Sequence, residues 1–172
     1  DKGYSQYIST AVGFCGDRSF YTNNGGSGGD GIQTDKDTIF GTYGRFKAHT
    51  AQFTCPEPRD LYTTTDSGVG NKALTYPVGL ITYDEMVFAG MDNIRINKLS
   101  WIYSTGNFWT MSPSLFSATV GYSGEWIESS DGYLGTWGWT TLDNGARPVI
   151  NLKSDTLITS GIGTSSDPFV VQ

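Results

Sequence analysis

The 172 residues suffice for one hydrophobic core, and 17 acidic against 11 basic side chains leave a formal charge of −6, which repels a phosphate backbone and argues against nucleic acid as a partner. Charged residues make up only 16% of the chain, whereas 23 glycines and 14% aromatic residues favour short strands joined by tight turns over a helical bundle. No run approaches the roughly 20 apolar residues that cross a bilayer as a helix, so no membrane contact by this chain itself is expected.

The chain opens on polar DKGYSQYIST, without the basic flank and apolar centre of an export signal, so a signal or anchor is expected in upstream sequence. Two apolar runs follow, YISTAVGFC at 7–15 and YGRFKAHTAQF at 43–53. Between them, at about 22–37, lies a Gly/Asn/Asp-rich stretch that reads as a flexible insertion within a single domain spanning 1–172. Asp30, Asp35 and Asp37 cluster there but lack the calcium-loop spacing and its closing Glu, and solvated loop acids are the expectation. Cys15 and Cys55 are the only cysteines, an even count that predicts one disulfide in an exported chain, worth about 3–4 kcal/mol for a loop of this length. Two buried thiols are the alternative. A nucleophilic cysteine would need a base and an orienter, and His49 is the sole histidine; two Cys and one His do not complete a zinc site, so no metal and no cofactor are expected.

Within LTYPVGLITYDEMVFAG at 74–90, a strand-like run ends at Thr82, and Thr82 with Glu85 three residues later forms a capping-box pattern ahead of a helix of about two turns that stops at Gly90. Asp84 and Glu85 suit the positive end of that helix, which explains them without catalysis. The rest of the chain is a succession of short aromatic segments. Asn144-Gly145 is expected at the centre of a primed turn, and Pro148 at the start of the strand VINL. Arg147, just before it, is expected to lay its stem on aromatic surface and to bond backbone carbonyls or a carboxylate, a structural role.

All five tryptophans, at 101, 109, 126, 137 and 139, fall in the second half, where they either fill the core or form a binding surface. Trp137 and Trp139, two apart on one strand face with Gly138 leaving the other bare, are the first binding candidates. Asn107 and Trp109, after the turn-like Ser104-Thr105-Gly106, are the second.

The segments FCGDRS (14–19), YGRF (43–46), FTCPEPRD (53–60), ALTYPVGLITYDEMVFAG (73–90), YSTGNFWTMSPSLF (103–116), ARPVINLKSD (146–155) and GIGTSSDPFVVQ (161–172), in that order, resemble a family of exported domains found in Gram-positive gut bacteria at the C-terminal end of prepilin-like or cell-surface proteins. The resemblance implies an α+β, C-type-lectin-like fold akin to formylglycine-generating enzymes: small twisted antiparallel sheets, one or two short helices and long loops. There the Gly-x-Arg-Pro-Val strand, here Gly145–Val149, lies in the central sheet. The chain carries neither the Glu-Pro-Asn nor the Gln-Pro-Asp tripeptide of calcium-dependent sugar binding, and Lys72 stands where the family usually has glycine.

These readings make the chain a non-enzymatic extracellular domain on a cell surface or pilus, acting in adhesion or pilus assembly. The partners would be a host or bacterial surface protein or glycan, or other pilus subunits. A calcium-independent carbohydrate-binding module is the alternative, and a hydrolase using acids such as Asp84, Glu125 or Glu128 the third.

Overall fold

In the computed structural model, residues 3–21, 37–65, 70–91, 95–118, 120–164 and 166–172 are described, without the side chains of Thr136 and Trp137. In chain order the elements are β1 (Phe14–Cys15), β2 (Thr38–Ile39), α1 (Gly41–Ala48), β3 (Leu61–Tyr62), β4 (Gly79–Leu80), α2 (Tyr83–Phe88), β5 (Phe108–Ser117), β6 (Tyr122–Glu128), β7 (Leu134–Trp139), β8 (Pro148–Val149), β9 (Ile158–Ser160) and β10 (Val170–Val171). Short 3-10 turns cover Tyr4–Tyr7 and Pro58–Asp60. The architecture is α+β, with an antiparallel sheet in the order β2-β5-β6-β7 and three two-stranded pairs, β1-β3, β4-β8 and β9-β10. The flexible insertion expected at 22–37, with Asp30 and Asp35, lies outside the described residues except for Asp37, whose carboxylate accepts from the Ser117 hydroxyl and the Ala118 amide.

The long strands are where β-branched, aromatic and hydroxyl side chains alternate. On β5, Phe108, Thr110, Ser112 and Ser114 point inward. The inward hydroxyls are bonded at once: Thr110 donates to the Trp126 carbonyl, and Ser112 accepts the amide of Tyr83 at the start of α2. Pro113 sits in this interior strand at a register irregularity, where its missing N–H disturbs the ladder least. The core gathers on Trp126, which is fully buried among Met86, Met91, Ile102, Phe108 and Leu134. Rings of Tyr83 and Phe46 pack on it at 4.3 and 5.4 Å. Its indole N–H donates to the Thr42 hydroxyl at 3.0 Å, which in turn donates to the Pro113 carbonyl at 2.6 Å, so α1 is fastened to the sheet through the core tryptophan.

α2 carries the expected capping box: the Thr82 hydroxyl accepts from the Glu85 amide, and the Glu85 carboxylate accepts from the Thr82 amide at 2.8 Å. Gly90 follows with φ 87. α1 was not expected, because a segment with two glycines is a poor helix former. Those glycines are there for contact. A Cβ on Gly41 would stand 2.5 Å from the Ser19 hydroxyl, and one on Gly44 2.4 Å from the Tyr21 ring.

Cys15 and Cys55 form a disulfide. The primed turn expected at Asn144-Gly145 is corrected: neither residue has the positive φ such a turn requires. Gly145 instead bridges Phe108 in parallel, donating its amide to Asn107 and accepting from Trp109. The strand expected over VINL shrinks to Pro148–Val149, paired with β4, while Leu152 makes a single bridge to Ile8.

Lys72 has φ 55, the left-handed region that disfavours a Cβ, which gives a physical reason for a glycine there. Lys72→Gly is expected to raise stability by about 0.5–1 kcal/mol, the relief of the left-handed backbone less the added freedom of the unfolded chain. A urea denaturation midpoint at or below the wild-type value, with unchanged slope, would contradict this.

Candidate functional site

The disulfide places two charged runs side by side, Asp17–Ser19 after Cys15 and Glu57–Asp60 after Cys55. Asp17 has φ 32, a backbone that short polar side chains tolerate, and consecutive side chains there take different partners. Asp17 accepts from Arg45 of α1 at 2.5 Å, and Arg45 also grips Asp84 of α2 through Nε at 2.8 Å and Nη2 at 2.6 Å. All three side chains are buried or nearly so. Burial works against the Arg45 charge, but hydrogen bonds and charge from Asp84 and Asp17 outweigh it and hold the guanidinium pKa above its ordinary value. Arg18, the next residue, bonds Asp60 with its amide at 2.6 Å and with Nε and Nη2 at 2.8 and 2.5 Å. Arg59 pairs with Glu57 on the surface.

Arg18 and Asp60 form one wall of a cleft of about 630 Å³. Its other walls are apolar: Phe20 and Phe40, with ring centroids 6.1 Å apart, face Pro113 and Phe116 of β5. Phe20 and Phe116 remain exposed. Beside the paired Glu57 and Arg59, and Ser123, whose hydroxyl bonds that of Thr140, two further polar side chains line the cleft. Thr38 of β2 lines the cleft, is 2% exposed, and its hydroxyl has no hydrogen-bond partner among the described residues. Glu125, opposite Pro113 in the β5–β6 register, has no hydrogen bond or ion pair among the described residues, and burial pushes its carboxyl up to about 7. An apolar cleft with a few convergent polar groups of perturbed acidity is the arrangement of a binding site.

The tryptophan candidates lie elsewhere. Trp139 is half-buried against Tyr122, with ring centroids 3.6 Å apart, and the side chain of Trp137 is outside the described residues. Gly138, expected to leave a bare face, permits a close approach: a Cβ there would meet Ile127 at 2.3 Å and the Trp109 ring at 2.9 Å. Trp109 is therefore half-buried over β7, and Asn107 uses its side-chain oxygen to accept the Ser130 amide at 2.8 Å. Trp126 is core and Trp101 is 70% exposed.

The three acids weighed for hydrolysis are dispersed. Asp84 lines a second cleft of about 400 Å³ beside the disulfide, bound to Arg45; Glu125 lines the first; Glu128 sits in the core, opposite Phe108 and Leu134. Neither Glu128 oxygen has a hydrogen-bond partner of good geometry, and burial pushes its carboxyl up to about 7 against the opposing pull of the Ser104 amide and the Arg147 guanidinium. Arg147 lies over the Phe108 ring at 4.8 Å and donates to the Ile102 carbonyl, so its fork bonds backbone while its charge faces Glu128.

Glu125 enters the sequence analysis only as a hydrolytic acid, and the Phe20–Phe40 pair carries no local pattern that marks it as a binding group. The charged wall of the cleft has a signal in the sequence: acids and arginines follow each cysteine by two to five residues, so a disulfide brings them to one place. No family model, curated protein or solved structure matches the chain.

Two outcomes follow from these charges. Arg45→Ala strands two buried carboxylates and is expected to cost about 3–5 kcal/mol in a urea titration; a loss below about 1 kcal/mol would mean that water replaces the guanidinium. Glu125 and Glu128 both bind a proton more tightly folded than unfolded, their ordinary value being 4.5. Below that value both states hold the proton, and between 4.5 and 7 only the folded state does. Stability thus falls as pH rises through that window, by at most about 1.4 kcal/mol per pH unit for each group, and levels off above it. Glu128→Gln should roughly halve the slope between pH 5 and 7, about as expected from removing one of two such groups. An unchanged slope in denaturation midpoints would exclude Glu128 as a contributor.

Proposed function

We propose that this chain is an extracellular binding domain of a cell-surface or pilus-associated protein, acting in adhesion or pilus assembly without catalysis, and that its small sheets form a C-type-lectin-like fold. The ordered motifs of the family it resembles support the assignment, and the disulfide suits an oxidising compartment. The observation that carries the reading is the cleft of about 630 Å³ with exposed Phe20 and Phe116 at its mouth. Aromatic side chains standing in solvent around a concavity lose little conformational entropy on binding and bury a large area, which is how a few residues dominate an interface.

The second reading, a calcium-independent carbohydrate-binding module, is favoured by the close Tyr122–Trp139 pair, a ring assembly of the kind on which a sugar face stacks.

The two readings separate in one experiment. The labelled domain is applied to a glycan array and to intact Gram-positive cells, alongside a Phe20→Ala/Phe116→Ala double variant and Trp139→Ala. The proposal expects the double variant to lose cell binding by about tenfold or more with its thermal midpoint nearly unchanged, and Trp139→Ala to bind as wild type. Binding that survives the double variant and fails in Trp139→Ala would transfer the site to the tryptophan and favour the sugar-binding reading.

A further inference from the structure

The charges around the cleft do not balance, and the imbalance points to a ligand. Asp60 is taken by Arg18, and Glu57 by Arg59, so four of the five charged groups lining the cleft are paired among themselves. Glu125 is the fifth, and no cation faces it. It stands among apolar walls, where water solvates an ionised carboxylate poorly and nothing else does so. Thr38 lines the same cleft, and its buried hydroxyl has no partner among the described residues. A buried hydroxyl left unbonded is uncommon and costs about 1–3 kcal/mol.

We infer that the cleft receives a primary ammonium group on an apolar stem, the form offered by a lysine side chain of a partner protein, with Glu125 as its counter-ion. The inference rests on the reading of this cleft as the binding surface and adds the class of ligand. An ammonium carries three N–H donors, which the Glu125 carboxylate can accept, and a lysine's methylene stem fits against Phe20, Phe40 and Phe116. Phenylalanine faces also attract a cation. An anion fits badly, since both guanidiniums already serve carboxylates and an ionised Glu125 repels it. The formal charge of −6 favours approach of a basic protein surface. Engagement of the ammonium stabilises the ionised form of Glu125, so binding draws a proton off the carboxyl in the range where it titrates.

The test is a carboxyl-detected NMR titration of the whole domain at pH 7 with Nα-acetyl-lysine methylamide, its Nε-acetylated analogue, hexylamine and a short lysine-bearing peptide. The inference expects the lysine probe to shift the Glu125 carboxyl signal and lower its apparent pKa by about one unit at saturation, a tenfold change in proton affinity. The Nε-acetylated analogue, with the same stem and no charge, should have at least about a tenfold weaker effect. In Glu125→Gln the readout moves to the backbone amide signals of Phe20, Phe40 and Phe116, whose shifts on adding the lysine probe to wild type should fall at least about tenfold in the variant, and the acetylated control on wild type keeps the test valid if that variant folds poorly. Equal response to the neutral analogue, or none to any amine at millimolar concentration, overturns the inference. A response to hexylamine that exceeds that to the lysine peptide also overturns it, because a free alkylamine would then be the better occupant. Should the amine fail while the Phe20→Ala/Phe116→Ala variant still loses its cell partner, the cleft remains the binding surface and only the ligand class falls.

Discussion

The guanidinium of Arg45 joins two carboxylates that are 67 residues apart in sequence, Asp17 after the two-residue strand β1 and Asp84 in the first turn of α2. Strands of two residues, such as β1 and β4 beside those acids, do not hold themselves together by ladder hydrogen bonds. The ion triad supplies what the short strands lack: it fixes α1, the start of α2 and the chain after Cys15 at one point, next to the core built on Trp126. Asp84 further accepts the Gln52 amide, and Asp17 accepts the Ser19 hydroxyl, so the remaining lone pairs of the buried acids are used. That completeness is what makes a buried charge network tolerable.

The candidate cleft inherits its shape from this arrangement. Asp17 turns inward to Arg45, which leaves its neighbour Arg18 to turn outward to Asp60 and forms a wall. The disulfide acts on the same place from the other side, holding the Glu57–Asp60 turn against the chain after β1. Structural ions and site ions thus alternate along one short stretch. The Phe20–Phe40 contact next to them continues the same seam, where Tyr21 donates its amide to Ile39 and Gly41 to Ser19.

Features written in local sequence were legible. The Thr82–Glu85 box needs only residues three apart, the disulfide only a count, and the position of Arg147 only its place before a proline and beside aromatic segments. What was not legible depends on contacts between distant residues. α1 forms despite Gly41 and Gly44 because Ser19 and Tyr21 press on it, and propensity contains no information about them. The turn pattern at Asn144-Gly145 gave way because the Gly145 carbonyl and amide found partners in Trp109 of β5 and in Asn107, the residue before that strand. Glu125 and Thr38 look like ordinary strand residues until the strands are assembled, since only the sheet shows that one acid has no cation and one hydroxyl no partner. Gly138 is the instructive intermediate: its importance was visible, but whether it opened a surface or admitted a neighbour depended on Ile127 and Trp109.

The bridge between Ile8 and Leu152 has a mechanical meaning. It is antiparallel and is flanked by bonds from the Ser9 amide to Asn151 and from the Lys153 amide to Tyr7. The lead into Tyr7 and the lead out of Lys153 therefore leave from the same end of the pair. Tension applied along those leads separates the two segments in the manner of a zipper, one bond after another, instead of shearing all of them at once. The lead out of Lys153 continues into the β9–β10 pair, closed by reciprocal bonds between Leu157 and Gln172, so load from that side meets two zippers in series before it meets the tryptophan core.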